Sequence, residues 1–319
     1  MTEEQPWGEI RTDLAVETHQ FVAGKSGSSV PGVESQTEEK GKIKVTRVII
    51  QTPEAGQALG KKPGYYVTVE SSALRGRDKD ELEEVAQVIA EELRAFIQGF
   101  RLTDEASALV VGLGNWNATP DALGPKVVEK VLVTRHLLQN SPPEKQGGLR
   151  PVCAISPGVL GITGVETKEI VAGIIDRVKP AFVVVVDALA SRSTDRMGST
   201  VQIANTGINP GSGVGNRRLG LTAESLGVPV IAVGVPTVVE ARTIVHDALE
   251  QISGLGGTSV RVQPKVVIDR VLSPYFQDLI VTPKEIDVLI GDISRALAGA
   301  INIALHPGVT ADEVFRYLD

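Results

Sequence analysis

Apolar and polar positions follow two different periods along this chain, and the switches between them mark out its elements. Residues 44–51 and 64–69 alternate every second position, which predicts strands in a hairpin or at a sheet edge. Over 79–98, Leu82, Val85, Val88, Ile89, Leu93 and Ile97 fall at helical spacing, so one face of a long helix is buried. Short apolar runs without alternation follow at 106–113, 152–155, 181–186 and 229–235, and runs of this kind read as strands covered on both faces. Helices are expected between them, over 119–138, 167–178, 223–226 and 238–252, with a last long helix over 282–305. At 119–121 a threonine cap, a proline at the first helical position and an acid in the first turn predict a helix start. Strand, helix, strand, helix with short links predicts an α/β fold, a three-layer α/β/α sandwich around a mainly parallel or mixed sheet. No linker divides the chain convincingly, so a single α/β domain is expected.

Three segments break the pattern. Residues 1–10 carry little apolar periodicity and read as a mobile arm. Residues 24–42 are rich in Gly, Ser and Glu and read as an exposed loop. Residues 188–218 read as one long irregular stretch, with Gly211, Gly213 and Gly215 strung along it. A segment of that length without regular structure is normally functional, and glycine supplies unusual backbone angles and mobility, so a lid or regulatory loop is expected.

Composition narrows the class of protein. The chain has 319 residues, 42% of them apolar but only 4% aromatic, a mixture suited to buried parallel strands under helices. A formal charge of −7 offers no footprint for a polyanion, so nucleic acid is not an expected ligand. One cysteine, Cys153, excludes an intrachain disulfide, and its apolar neighbours suit a buried small side chain better than a nucleophile. No secretory segment is recognisable, and apolar runs such as 182–186 fall far short of the roughly 18 residues a membrane span needs. A cytoplasmic protein without a membrane partner is expected.

Ligands of open parallel sheets sit beyond the carboxyl ends of the strands, and two acids fall there. Asp121 follows the 106–113 run, and Asp187 ends the four-valine run. Each acid has a plain structural explanation, Asp121 in offsetting a helix dipole and Asp187 in bonding loop amides. Together, on one sheet edge, they form a candidate catalytic pair. Two carboxylates about 4 Å apart repel by about 4 kcal/mol at an effective dielectric of about 20, enough to split their titrations by roughly three pH units. One proton is then shared, and the pair can hold a water between a general base and an acid that polarises a peptide carbonyl. Such chemistry calls for no metal or cofactor.

Other chemistries fit less well. The four histidines are scattered, with no zinc-binding spacing, and no GxSxG elbow supports a serine hydrolase. GLGNWN lacks the third glycine of a dinucleotide fingerprint, and the 206–218 segment has no P-loop lysine.

Several unusual strings occur in order: RTDLAVE at 11–17, GLGNWNATPDALGP at 112–125, SPGVLGITGVET at 156–167, DALASRS at 187–193, NTGINPGSGVGNRR at 205–218, GVPVIAVGVPTVVEA at 227–241 and VTPKEID at 281–287. Across nearly its whole length the chain resembles the germination protease family, which degrades the small acid-soluble DNA-protecting proteins of the bacterial spore core. The resemblance implies an endopeptidase made as an inactive zymogen, usually tetrameric, that removes its own N-terminal propeptide. Carried onto these motifs, the propeptide is 1–13 and the cut lies between Asp13 and Leu14. The aspartic-type catalytic acids fall on Asp121 and Asp187, and the implied fold is the phosphorylase/hydrolase-like sandwich shared with hydrogenase maturation proteases. The compartment implied is the cytoplasm of the spore core. Where relatives typically read DTGI this chain has Asn205, which removes a carboxylate from the loop. Two rivals remain open: a metal-dependent maturation-type protease or a phosphorylase on the same fold, needing a metal or phosphate, and a protein that shelters basic spore proteins without cutting them.

Overall fold

In the computed structural model, residues 12–26, 30–139, 147–209, 219–254, 272 and 279–318 are described. The described strands join one nine-stranded sheet in the order β1-β2-β3-β7-β8-β6-β4-β5, with β9 added beside β8. Its centre is parallel: β4 (Ala108–Gly112) lies between β5 (Val152–Ile155) and β6 (Phe182–Ser191), and β6 continues onto β8 (Val230–Glu240). The other side is antiparallel, through β7 (Thr200–Ala204), β3 (Gly64–Glu70), β2 (Ile43–Ile50) and β1 (Val33–Lys40), and β9 (Ile280–Val281) is antiparallel to β8. The expected sheet is therefore present in its mixed form.

Alternation along the strands divides the core into two faces. Val110, Val184 and Val186 pack with α3 (Lys79–Gly99), α4 (Leu123–Val128) and α10 (Ile286–Leu305). Leu109, Val111, Val183 and Val185 pack on the opposite face with α7 (Thr167–Val178) and α8 (Ala223–Leu226). On that second face, farther along, Val48, Ile50, Tyr66 and Ala204 receive α1 (Ala15–Ser26) and α2 (Pro53–Leu59). The remaining helices are α5 (Arg135–Leu138), α6 (Leu160–Thr163), α9 (Ala241–Gly254) and α11 (Ala311–Leu318). Three layers result. Among the described residues α10 is long and apolar enough to cross a membrane, yet most of it is buried against the sheet and α3, as in a core helix.

Several boundaries differ from the sequence expectation, each for a physical reason. Residues 33–40 are a strand rather than a loop; VESQTEEK shows no apolar alternation because β1 is an edge strand largely exposed to water, held by pairing along its length with β2. The 188–218 stretch is not wholly irregular, since β6 runs past Asp187 to Ser191, and β7 occupies 200–204. A register shift at Leu189/Ala190 lets β6 stay paired with β8. That irregularity, beyond the last residue of β8 paired to β7, also accommodates Pro236, so β8 continues to Glu240 and the following helix starts at Ala241 rather than 238.

The helix expected over 119–138 is broken into a 3₁₀ turn (Thr119–Asp121), α4 and α5, and no side-chain cap is made at its start. Tertiary bonds take the chain out of the helix: the Asn302 side chain accepts from Leu132 N–H at 2.8 Å, and Val152 O accepts from Thr134 N–H at 2.9 Å. The last long helix starts at Ile286 because Thr282 Oγ1 donates to Thr237 O at 2.9 Å instead of capping. The arm expected over 1–10 lies outside the described residues, apart from which the chain is first described at Thr12.

Candidate active site

Asp187 stands one residue beyond Val186, which pairs with Gly112 at the end of β4. It is buried, and its Oδ1 accepts the Ala188 N–H at 2.9 Å. After β4 the chain loops back so that Asn115 N–H donates both to the Asp121 carbonyl oxygen at 3.1 Å and to Asp121 Oδ2 at 2.9 Å. Leu113 N–H donates to Val186 O at 2.8 Å, which ties the start of this loop to β6 one residue before Asp187.

Two glycines allow the close seating. Gly114 has φ +118°, and a Cβ there would lie 1.9 Å from the Asp121 carbonyl oxygen. A Cβ on Gly124 would lie 2.2 Å from Leu113 O and 2.7 Å from Val186 O. The turn bearing Asp121 thus presses on the end of β4 and, at Val186, on β6, so the two acids belong to neighbouring parallel strands, with Asp187 inside β6 rather than at its end. Trp116, half-exposed, stands in the same loop.

The N-terminal segment lies against the extension of β6. Asp13 N–H donates to Ala190 O at 3.0 Å, and Asp13 Oδ2 accepts from Ala190 N–H at 2.9 Å. Leu14 is fully buried with Val16 and Leu189, and Ile208 packs beside them. Glu17, also buried, accepts from Arg192 N–H at 2.8 Å and Ser193 N–H at 3.0 Å, and pairs with the Arg196 guanidinium at 3.5 Å. Asp13 and Leu14, the residues the family resemblance points to, are thus held by backbone bonding and by burial.

The other sequence candidates fall into supporting positions. Asn205 Oδ1 accepts the Tyr65 N–H at 2.9 Å, prolonging the β3–β7 pairing, a bond that a carboxylate could accept equally. Ile208 and Leu221 exchange backbone hydrogen bonds at 3.1 and 2.8 Å and close the base of the glycine-rich segment. Gly211, Gly213 and Gly215 lie outside the described residues. Cys153 is half-buried with its thiol pKa pushed up by burial, in keeping with a packing role. His306 is buried far along the sheet, bonded to Leu132 O at 3.0 Å. Among the described residues no group of three or more His, Cys, Asp or Glu side chains gathers as a metal would require.

Sequence reasoning missed Lys61 and Gln202. Lys61 Nζ donates to Thr12 O at 3.1 Å and Asp13 O at 2.8 Å. Gln202 Nε2 donates to Asp13 O at 3.1 Å, and its Oε1 accepts from Ala15 N–H at 2.6 Å. A polar side chain within the apolar run TVQIA was a signal for Gln202; for Lys61, on the exposed-looking GKKPG, the sequence carries none.

Comparison with known proteins gives a consistent result. A profile of the germination protease family matches residues 10–265 and 250–318. The chain is 49% identical to the germination protease of Caldanaerobacter subterraneus subsp. tengcongensis over 97% of its length and 98% of the relative's. Similar relatives from Clostridium perfringens and Clostridium tetani are 45% and 43% identical, each over 97% of this chain and 99% of theirs. A solved [NiFe] hydrogenase maturation protease, HycI from Thermococcus kodakarensis, is 18% identical, with a TM-score of 0.34 over 66% of this chain and 98% of its own; a likeness that weak carries no argument.

Proposed function

This chain belongs to the germination protease family and is a protease, and from that premise we propose that it is a zymogen whose Asp121/Asp187 pair activates water to cut its own chain after Asp13. The same pair then hydrolyses small acid-soluble spore proteins. The reading is supported by the seating of the Asp121 turn against Val186, the residue before Asp187 in β6, beside the β6 extension that also grips Asp13.

The chemistry follows from two carboxyl groups sharing one proton. The ionised member takes a proton from water, whose oxygen adds to the peptide carbonyl carbon, while the protonated member donates to the carbonyl oxygen. Collapse of the tetrahedral adduct breaks the C–N bond and passes a proton to the leaving nitrogen. A buried carboxylate such as Asp187, held by a backbone amide, is oriented for this work. A net charge of −7 favours encounter with basic, loosely folded substrates in the spore core. Tetrameric assembly is part of the same proposal, resting on kinship alone.

Two measurements test the reading. Mass analysis of the purified chain after incubation should reveal a species starting at Leu14, and a strong chelator should leave its formation unchanged. A chain that stays intact under all conditions contradicts self-processing; processing stopped by the chelator and restored by a divalent cation supports the metal-dependent alternative.

A further inference from the structure

Two nitrogen donors converge on a single backbone oxygen, that of Asp13. Lys61 Nζ lies 2.8 Å and Gln202 Nε2 3.1 Å from it. Both lone pairs of the oxygen are thereby taken, one of them by an ammonium, and paired donors of this kind are the arrangement that stabilises charge growing on a carbonyl oxygen. We propose that Lys61 and Gln202 are catalytic residues of the processing reaction: they polarise the Asp13 carbonyl and receive the oxyanion formed when water adds. This rests on the reading that the Asp13–Leu14 bond is the one cut.

The surroundings fit an attacked bond better than a simple anchor. Gln202 spans the bond, donating to the oxygen before Leu14 and accepting the Ala15 N–H after it, at 2.6 Å. Leu14 is locked in its apolar site, and its N–H donates to Thr12 Oγ1 at 3.1 Å. Geometry is therefore fixed on both sides of the carbonyl carbon, as a near-attack arrangement requires. Across the sheet, Asp187 and Gln202 both stand in register with Gly234 of β8. Two strand spacings separate them, about 10 Å between backbones, and the Leu189 side chain, which also packs on Leu14, lies over the glycine between. A carboxylate on one side and carbonyl donors on the other are what hydrolysis of a bridging peptide asks for.

In the step itself, water oxygen bonds to the Asp13 carbonyl carbon as the ionised carboxylate takes its proton, and the carbonyl π pair moves onto oxygen, where the two donors hold it in place of the carboxyl proton, which is kept for the leaving nitrogen. The pair returns as the C–N bond to Leu14 breaks; the nitrogen leaves with a proton from the carboxyl pair. The products are residues 1–13 ending in a carboxyl group and a chain starting with the Leu14 amine. Burial pushes the Lys61 ammonium below its ordinary pKa, and the facing charges of Asp13 and Glu17 pull it back.

The test follows the full chain in Lys61→Met, Lys61→Arg, Gln202→Leu and Asp187→Asn. Formation of the Leu14 species is timed by mass across pH, and hydrogen exchange at the amide of Asp13, which bonds Ala190 O, reports docking. Lys61→Met and Gln202→Leu should each slow processing by about 10²-fold with that amide still protected. Lys61→Arg should restore part of the rate and extend it to higher pH. Processing within twofold of the unaltered chain in both donor-removing variants overturns the proposal, as does a slowing matched by an equal loss of protection, which marks Lys61 as an anchor only. Normal processing in Asp187→Asn instead strikes the carboxylate reading and leaves the donors to be judged on their own variants.

Discussion

The parallel and antiparallel halves of the sheet hold the same segment of chain by different means. In the parallel half, β4 and the valine run of β6 are buried throughout; Asp187 follows that run directly inside β6, and the loop after β4 brings Asp121 back against the same strand. The antiparallel half supplies Gln202 from β7 and Lys61 from the loop before β3, and their contacts to Asp13 span 189 and 48 residues of sequence. A strand-end carboxylate is thus written in one short stretch, whereas a clamp on a peptide is assembled from distant ones.

Each half can be stressed separately. The largest effect is expected at Arg150, which is only 1% exposed and lies at the end of the parallel half away from the acids. Its guanidinium donates to Leu305 O at 3.0 Å and Thr103 O at 3.1 Å, bonds Ala106 O, and sits 5.4 Å above the Phe182 ring centre. Arg150→Met takes a donor from each of those carbonyls and should cost about 3 kcal/mol in denaturant unfolding, on the order of 1 kcal/mol per hydrogen bond. Processing per folded molecule should stay unchanged; a processing defect at full stability would mean the two ends of the parallel half are coupled.

A smaller effect concerns pH. Burial, with the nearby Arg150 charge, holds the His306 pKa below its ordinary value, although the Leu132 carbonyl pulls the other way. The unfolded chain therefore takes up this proton first as pH falls. Stability is fully present above about pH 6.5 and declines below it toward the folded value, by at most about 1.4 kcal/mol per pH unit. His306→Gln should flatten that decline when unfolding is followed from pH 7.5 to 5. The same variant separates acid loss of the fold from any acid dependence of processing, which should persist in it.

How much could be read from sequence follows the same division. Buried parallel strands announce themselves as apolar runs, so β4, β5, the first part of β6 and α7 lie where expected, and with them Asp121 and Asp187. The β1 edge strand could not be read, because an edge exposed to water has no apolar pattern to show. The continuation of β6 past Asp187 was hidden as well, since its pairing is set by β8 and a register shift rather than by its own residues. Lys61 stayed hidden for a third reason: its partners are backbone carbonyls, which every residue has.

In the proposed mechanism, carboxylates from two neighbouring parallel strands cut the bond after Asp13. The direct measurement is intact-mass analysis over time of the full chain beside its Asp121→Asn and Asp187→Asn variants, each first confirmed folded. A Leu14 product is expected from the unaltered chain, and a rate lower by about 10²-fold or more in either variant, on the order expected for loss of a general acid or base. Unchanged conversion in both variants would contradict it.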